Sequence, residues 1–284
     1  MPVQVAKADE PDHRGRWLLS RFMVDLTGQM PSMLRDRARW QRLGSHGVPA
    51  LLAHPDWDAG EQVPVVIWMH GRTVHKELDP GRYLRWIRAG IGVCAIDLPG
   101  HGERYDAALQ LPIATFDVIK QMVLELDAVV EALGEIGAFD LARCGIGGMS
   151  GGGMAAIARL CSPHNFVCAA VEATTGSWSH QRHRAMFNDH NWIEASALDP
   201  IDHLDQWREI PFQAIHARFD EYVASQGQAE FVDALRERYA DPSLIEFIQY
   251  ERTGAPYEHA GFGNMAADAK NRQAAFFVRQ LVGA

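Results

Sequence analysis

Apolar residues along this chain fall into two alternating textures. Short unbroken runs rich in β-branched residues give way to longer stretches with helical spacing. Val63 to Met69 is a continuous apolar run, the pattern of a strand covered on both faces, and it stops at His70-Gly71-Arg72. Asp79-Pro80 then offers an N-cap and a first-turn proline for a helix through Ala89, closed by Gly90. Gly92 to Ile96 predicts the next strand. From Thr115 onward, Ile119, Met122, Val123, Leu126, Val129, Val130 and Leu133 form one apolar stripe at helical period. The rhythm continues with strands at Phe166 to Val171, Ile210 to His216 and Leu244 to Tyr250, and with helices at Gly227 to Tyr239 and Ala266 to Val282. Alternation of this kind predicts an α/β fold, a mostly parallel central sheet flanked by helices.

Two stretches depart from the rhythm. Before position 47, Trp17, Leu18, Phe22 and Leu26 recur at helical spacing, and Pro31 to Leu43 sets Arg35, Arg37, Arg39 and Arg42 among a few apolar residues. Residues 1–46 therefore read as a helical N-terminal extension that packs on the main domain, 47–284, or contributes to a homodimer. Val48 to Ala53 reads as an edge strand. The second departure, residues 176–195, concentrates Trp178, His180, His183, Phe187, His190 and Trp192 between a strand and its next helix. It reads as a small cap insertion whose Trp178, Phe187 and Trp192 line a substrate pocket.

Composition narrows the class. Of 284 residues, 47% are hydrophobic and 22% charged, and 36 acidic against 27 basic side chains leave a net charge of −9. No basic face is offered to nucleic acid or to an anionic membrane. The first ten residues lack the apolar core of a signal peptide, and no apolar run approaches the length of a membrane helix. The four cysteines lie in apolar or helical stretches without metal-ligand spacing and read as buried thiols. These features give a cytoplasmic expectation, with neither a nucleic-acid nor a membrane partner.

The chemistry is concentrated around Gly148-Met149-Ser150-Gly151-Gly152, with the Gly-x-Ser-x-Gly spacing of a nucleophile elbow. A serine at a sharp strand-to-helix turn is crowded by its neighbours, and glycine two positions away on each side relieves the crowding. A serine hydroxyl needs a base, and that base needs an acid to hold its tautomer. Downstream, Asp220 follows one apolar strand and His259 follows the last, in the order Ser, Asp, His. Both fall on the rim where open α/β sheets keep their sites. Glu221 is the nearest rival to Asp220. An oxyanion hole is expected from the N–H of Gly151, at the start of a helix, and that of Arg72, in the loop after Met69. Arg72, His101, Glu103 and Arg104 lie on loops expected at the mouth, where they would read a substrate carboxylate. No cofactor is called for, and no metal site: His180 and His183 are unaccompanied by a carboxylate pattern.

Taken together, the His70-Gly71 loop followed by Lys76-Glu77, the segment Asp97-Leu98-Pro99-Gly100-His101-Gly102, the elbow, the Asp220 turn and Tyr257-Glu258-His259 resemble the α/β-hydrolase superfamily. The resemblance runs from about residue 47 to 284. Within the superfamily the chain is similar to the dienelactone-hydrolase-like and prolyl-oligopeptidase-like esterase branches. Dienelactone hydrolases proper use cysteine where this chain has Ser150, and the N-terminal segment is too short for the propeller of the large oligopeptidases. The resemblance implies a serine hydrolase acting on a small-molecule carboxylic ester. A small peptidase or C–C hydrolase with the same triad is the alternative, and a non-catalytic binding protein on the same fold is a third reading.

Overall fold

The computed structural model describes residues 30–187 and 191–283. Among them are eight strands: β1 (Ala38–Leu43), β2 (Val48–Ala53), β3 (Val63–Met69), β4 (Gly92–Ile96), β5 (Phe139–Met149), β6 (Cys168–Glu172), β7 (Phe212–Ala217) and β8 (Ile245–Tyr250). Seven α-helices accompany them: α1 (Ser32–Arg35), α2 (Pro80–Arg88), α3 (Thr115–Ile136), α4 (Gly151–Leu160), α5 (Trp192–Ser196), α6 (Ser225–Arg238) and α7 (Ala266–Leu281). The strands form one sheet in the order β1-β2-β4-β3-β5-β6-β7-β8. From β4 to β8 every neighbouring pair is parallel, and β1 and β2 join antiparallel. This is the mostly parallel α/β sheet expected from the alternation of textures, and it agrees with the α/β-hydrolase fold that the resemblance implies.

Period-two alternation in the strands divides the interior into two cores. Val65, Ile67 and Met69 of β3 join the apolar side chains of α3, α4 and α6, while Val66 and Trp68 face Tyr83 and Trp86 of α2 and Phe276 and Phe277 of α7. Burial on both faces explains why β3 and β4 read as unbroken apolar runs.

The N-terminal side differs from its sequence reading. Ala38–Leu43 is not helix but an edge strand, paired with β2 from Ala38↔Ala53 to Leu43↔Val48. The boundary expected between 46 and 47 thus falls inside the turn of a hairpin, and β1 belongs to the sheet. β2, expected at the edge because of Pro49, is interior and wholly buried; the Pro49 carbonyl accepts the N–H of Asp97 at 3.0 Å. The physical reason is that an edge strand leaves Arg39, Gln41 and Arg42 exposed, and the charge of the arginines guards its free edge. The helical reading of Trp17 to Leu26 lies outside the described residues, as does His190.

The segment expected as a cap, residues 176–195, holds little regular structure among its described residues. These form a 3₁₀ turn at Trp178–Gln181 and the start of the short α5, and a further 3₁₀ stretch at Pro200–Gln206 follows. Trp178 and Phe187 are 1% and 3% exposed and belong to the same core as α3 and α4. Asp79, placed to cap α2, makes no side-chain cap; its carboxylate bonds Arg82 at 3.0 Å and Lys270 at 2.9 Å instead.

Candidate active site

Ser150 stands between the end of β5 and the start of α4 with φ 52° and ψ −120°, a conformation costly for a residue with a side chain. Three hydrogen bonds hold it there. Its N–H donates to Glu172 O at 2.9 Å, and its carbonyl accepts from the Met154 N–H at 2.9 Å and from the Thr174 hydroxyl at 2.8 Å. The flanking glycines are required by close approach: a Cβ on Gly148 would lie 2.5 Å from the Gly152 carbonyl carbon, and one on Gly152 would strike the Met69 carbonyl.

Loops at the carboxyl ends of β7 and β8 bring two further side chains to Ser150. His259 Nε2 lies 3.0 Å from Ser150 Oγ, and His259 Nδ1 lies 2.7 Å from Asp220 Oδ2. Because a carboxylate only accepts, Nδ1 carries the proton and Nε2 is free to accept from the serine hydroxyl. Asp220 Oδ1 is held by the N–H groups of Tyr222 and Val223 at 2.8 and 2.7 Å. Burial alone would raise the Asp220 carboxyl; hydrogen bonds from His216 and His259 overcome it and hold the group well below the usual carboxylate range. Glu221, the rival acid, accepts the Glu258 N–H at 3.0 Å and has no bond to His259.

The loop after β3 faces the elbow from the other side. A Cβ on Gly71 would sit 3.5 Å from Ser150 Cβ, and one on Gly151 would sit 3.2 Å from Arg72 Cγ. The N–H of Gly151 is in the first turn of α4, where helical N–H groups lack an internal acceptor. His70 clamps this loop: Nδ1 donates to Gly71 O at 2.6 Å, and Nε2 accepts the Leu98 N–H at 3.0 Å. Since Nε2 is already an acceptor, its 3.5 Å approach to Asp97 Oδ1 is proximity and not an ion pair.

The other residues expected at the mouth are differently employed. His101 is buried, donates from Nδ1 to Pro99 O at 2.8 Å, and is pushed down to about 4, first by burial. The Arg72 side chain donates to Gln110 O, Glu103 pairs with Lys76, and Arg104 is bound to Glu125 and Asp97 O. These groups tie loops together. Trp178 and Phe187 are stacked 5.9 Å apart inside the core, and Trp192 is half-buried against Phe187. Tight packing draws the two rings in, so they are not walls of an open pocket.

The aromatics that do stand exposed beside the histidine were missed in the sequence. Tyr222 is 49% and Tyr257 56% exposed, and the Tyr222 ring lies 5.4 Å from that of His259. Their signal was position alone, each within two residues of Asp220 or His259. On the other flank, a cavity of about 210 Å³ is lined by Leu78, Met149 and Phe262 with Asp79, Arg82, Glu172 and Lys270. Arg82 and Glu172 form a bidentate pair on its floor. Among the described residues no group of three or more His, Cys, Asp and Glu is placed to hold a metal; His180 meets Glu230 at 3.0 Å.

Comparison with known proteins bears on the family and the fold. A model of the prolyl oligopeptidase family matches residues 83–283. Esterase YjfP of Escherichia coli (strain K12) is 26% identical over 212 residues, covering 69% of this chain and 84% of the esterase. Among solved structures, a puromycin-hydrolyzing peptidase of Mycobacterium tuberculosis superposes with a TM-score of 0.68 at 20% identity, covering 87% of this chain and 40% of that one. A 2,6-dihydroxy-pseudo-oxynicotine hydrolase gives a TM-score of 0.67 at 19% identity, with 91% and 72% covered. The chain thus spans about two-fifths of the length of the mycobacterial peptidase. At these identities the solved structures share the fold. The family match, which takes in the elbow and the loops after β7 and β8, goes further: this chain belongs to the prolyl oligopeptidase family and is a serine hydrolase.

Proposed function

We propose that the chain hydrolyses carboxylic esters through an acyl-enzyme on Ser150. Ser150 Oγ attacks the ester carbonyl while His259 Nε2 takes its proton, and His259 then returns that proton to the leaving alcohol. Asp220 orients the imidazole and stabilises the imidazolium. The N–H groups of Gly151 and Arg72 receive the oxyanion of the tetrahedral intermediate. Water, activated by the same histidine, releases the acid. The observation that carries this reading is the unbroken relay from Ser150 Oγ to His259 at 3.0 Å and on to Asp220 at 2.7 Å, set at a strained elbow. No step in it calls for a cofactor.

Ester cleavage is favoured by the likeness to an esterase that matches the chain over most of both lengths. Peptide cleavage is the second reading, supported by peptidases among the structural relatives. A cytoplasmic location is part of the proposal and is supported by four cysteines that all stand unpaired. The test is labelling with a fluorophosphonate, followed by a panel of p-nitrophenyl esters of graded acyl length beside aminoacyl p-nitroanilides. Labelling of Ser150 with turnover of esters over anilides supports the reading; anilide turnover alone would transfer the enzyme to the peptidases.

A further inference from the structure

A fourth side chain touches the relay without taking part in the proposed chemistry. His216 lies in β7, one residue before its end and four before Asp220, and is fully buried. Its Nε2 is 3.0 Å from Val223 O and 3.3 Å from Asp220 Oδ2. Both are acceptors, so Nε2 carries the proton; it donates to Val223 O and stands against the Asp220 carboxylate. Nδ1 has no partner, and a second proton there would be a buried donor without an acceptor. The ring is therefore the neutral Nε2–H tautomer.

We propose that His216 is a positioning residue of the triad, whose Nε2–H stands against the carboxylate oxygen that His259 also uses and so sets the pull of Asp220 on the His259 imidazolium. This rests on the reading of Ser150, His259 and Asp220 as a catalytic triad. With His216 in place, Asp220 receives three hydrogen bonds, from the Tyr222 and Val223 N–H groups on Oδ1 and from His259 on Oδ2, and the His216 Nε2–H stands 3.3 Å from Oδ2 as a further favourable dipole. By holding Val223 O as well, His216 closes the turn that carries Asp220. A merely space-filling residue at 216 would do neither.

Loss of the His216 donor has a signed electrostatic consequence. The carboxylate, less satisfied, attracts the His259 imidazolium more strongly, so His259 holds its proton to higher pH. The other titratable groups near the relay stand on the two turns that meet at His259, and among the described residues none of them is bonded to His216. On the Asp220 turn these are Glu221, bonded to the Glu258 N–H, and the Tyr222 ring. On the His259 loop Tyr257 packs on Tyr222 and Glu258 accepts from Thr253, and Arg184 lies over Tyr222 at 5.2 Å. Arg218, next to the end of β7, is paired outward with Glu251.

The experiment is the pH profile of kcat/KM on p-nitrophenyl acetate for wild type, His216→Phe and His216→Gln, with Ser150→Ala alongside and Tm recorded for each. In His216→Phe the acidic limb is expected to move up by about half a pH unit or more, and kcat to fall by about tenfold. The amide N–H of His216→Gln reaches the same acceptors, so its limb is expected to return toward wild type. His216→Met carries the same expectation as His216→Phe should the latter not fold. An unmoved limb in the apolar variants, or no recovery with glutamine, overturns the assignment while a dead Ser150→Ala leaves the triad standing. Full turnover in Ser150→Ala overturns both.

Discussion

Both oxygens of the Asp199 carboxylate lie 2.9 Å from the backbone N of Trp178, which pins the start of the insertion to the segment that follows it. Burial raises the Asp199 carboxyl to about 6, and the nearby charge of Asp202 adds to the rise, while the Trp178 N–H opposes it. The folded protein therefore binds this proton more tightly than the unfolded chain does. Stability contributed by the protonated form is present at pH 4 and is lost as pH climbs to about 6. Asp199→Asn removes the titration. Relative to wild type, the variant should gain about 2 kcal/mol between pH 4 and pH 7 in urea melts; parallel curves would contradict this.

The loop that carries Gly71 and Arg72 owes its position to a buried lysine. Lys76 is 1% exposed and its ammonium lies 2.9 Å from Asp97, 2.6 Å from Glu103 and 3.0 Å from Glu77. Burial alone would lower the lysine, but the charge of Asp97 foremost among its partners raises it instead. Lys76→Met should cost about 3–5 kcal/mol, because Asp97 is left charged and uncompensated inside the protein. Adding Asp97→Asn should recover part of that loss. Chemical denaturation of the single and double variants checks the sign of the coupling.

Aromatic residues near the site should divide into two behaviours. Trp178 is packed between Phe116 and Phe187, so Trp178→Ala should destabilise by about 3–5 kcal/mol. Tyr222 is exposed, and Tyr222→Ala should cost no more than about 0.5 kcal/mol. Its ring borders His259, so the same change should alter KM and the ranking of esters by leaving group. A thermal shift paired with an ester panel separates the two; a stable Trp178→Ala with altered ranking would return the tryptophan to the pocket.

Much of this was legible in the chain because its signals were local. The glycines about Ser150 reflect collisions within the turn itself, and the positions of Asp220 and His259 follow from where apolar strands end. The misreadings share a different cause, since each depends on what packs across. Arg39 and Arg42 suited a helix by spacing until pairing with Leu52 and Pro49 made them an edge strand. Trp178 and Phe187 looked like a cap because their partner Phe116 lies far off in sequence. His216 reads in the chain only as the end of an apolar strand, and the fold of the Asp220 turn brings it near the carboxylate.

The central claim is that Ser150, His259 and Asp220 act as one catalytic unit. It is tested most directly by kcat/KM on p-nitrophenyl acetate for Ser150→Ala, His259→Ala and the double variant, with fluorophosphonate labelling followed by peptide mapping. Each single change should lower kcat by about 10⁴-fold or more, and the double variant should be scarcely worse than either, because the residues act as a unit. The label should map to Ser150 alone and vanish in Ser150→Ala. Near-normal turnover in Ser150→Ala, or a label carried by another residue, would contradict the account.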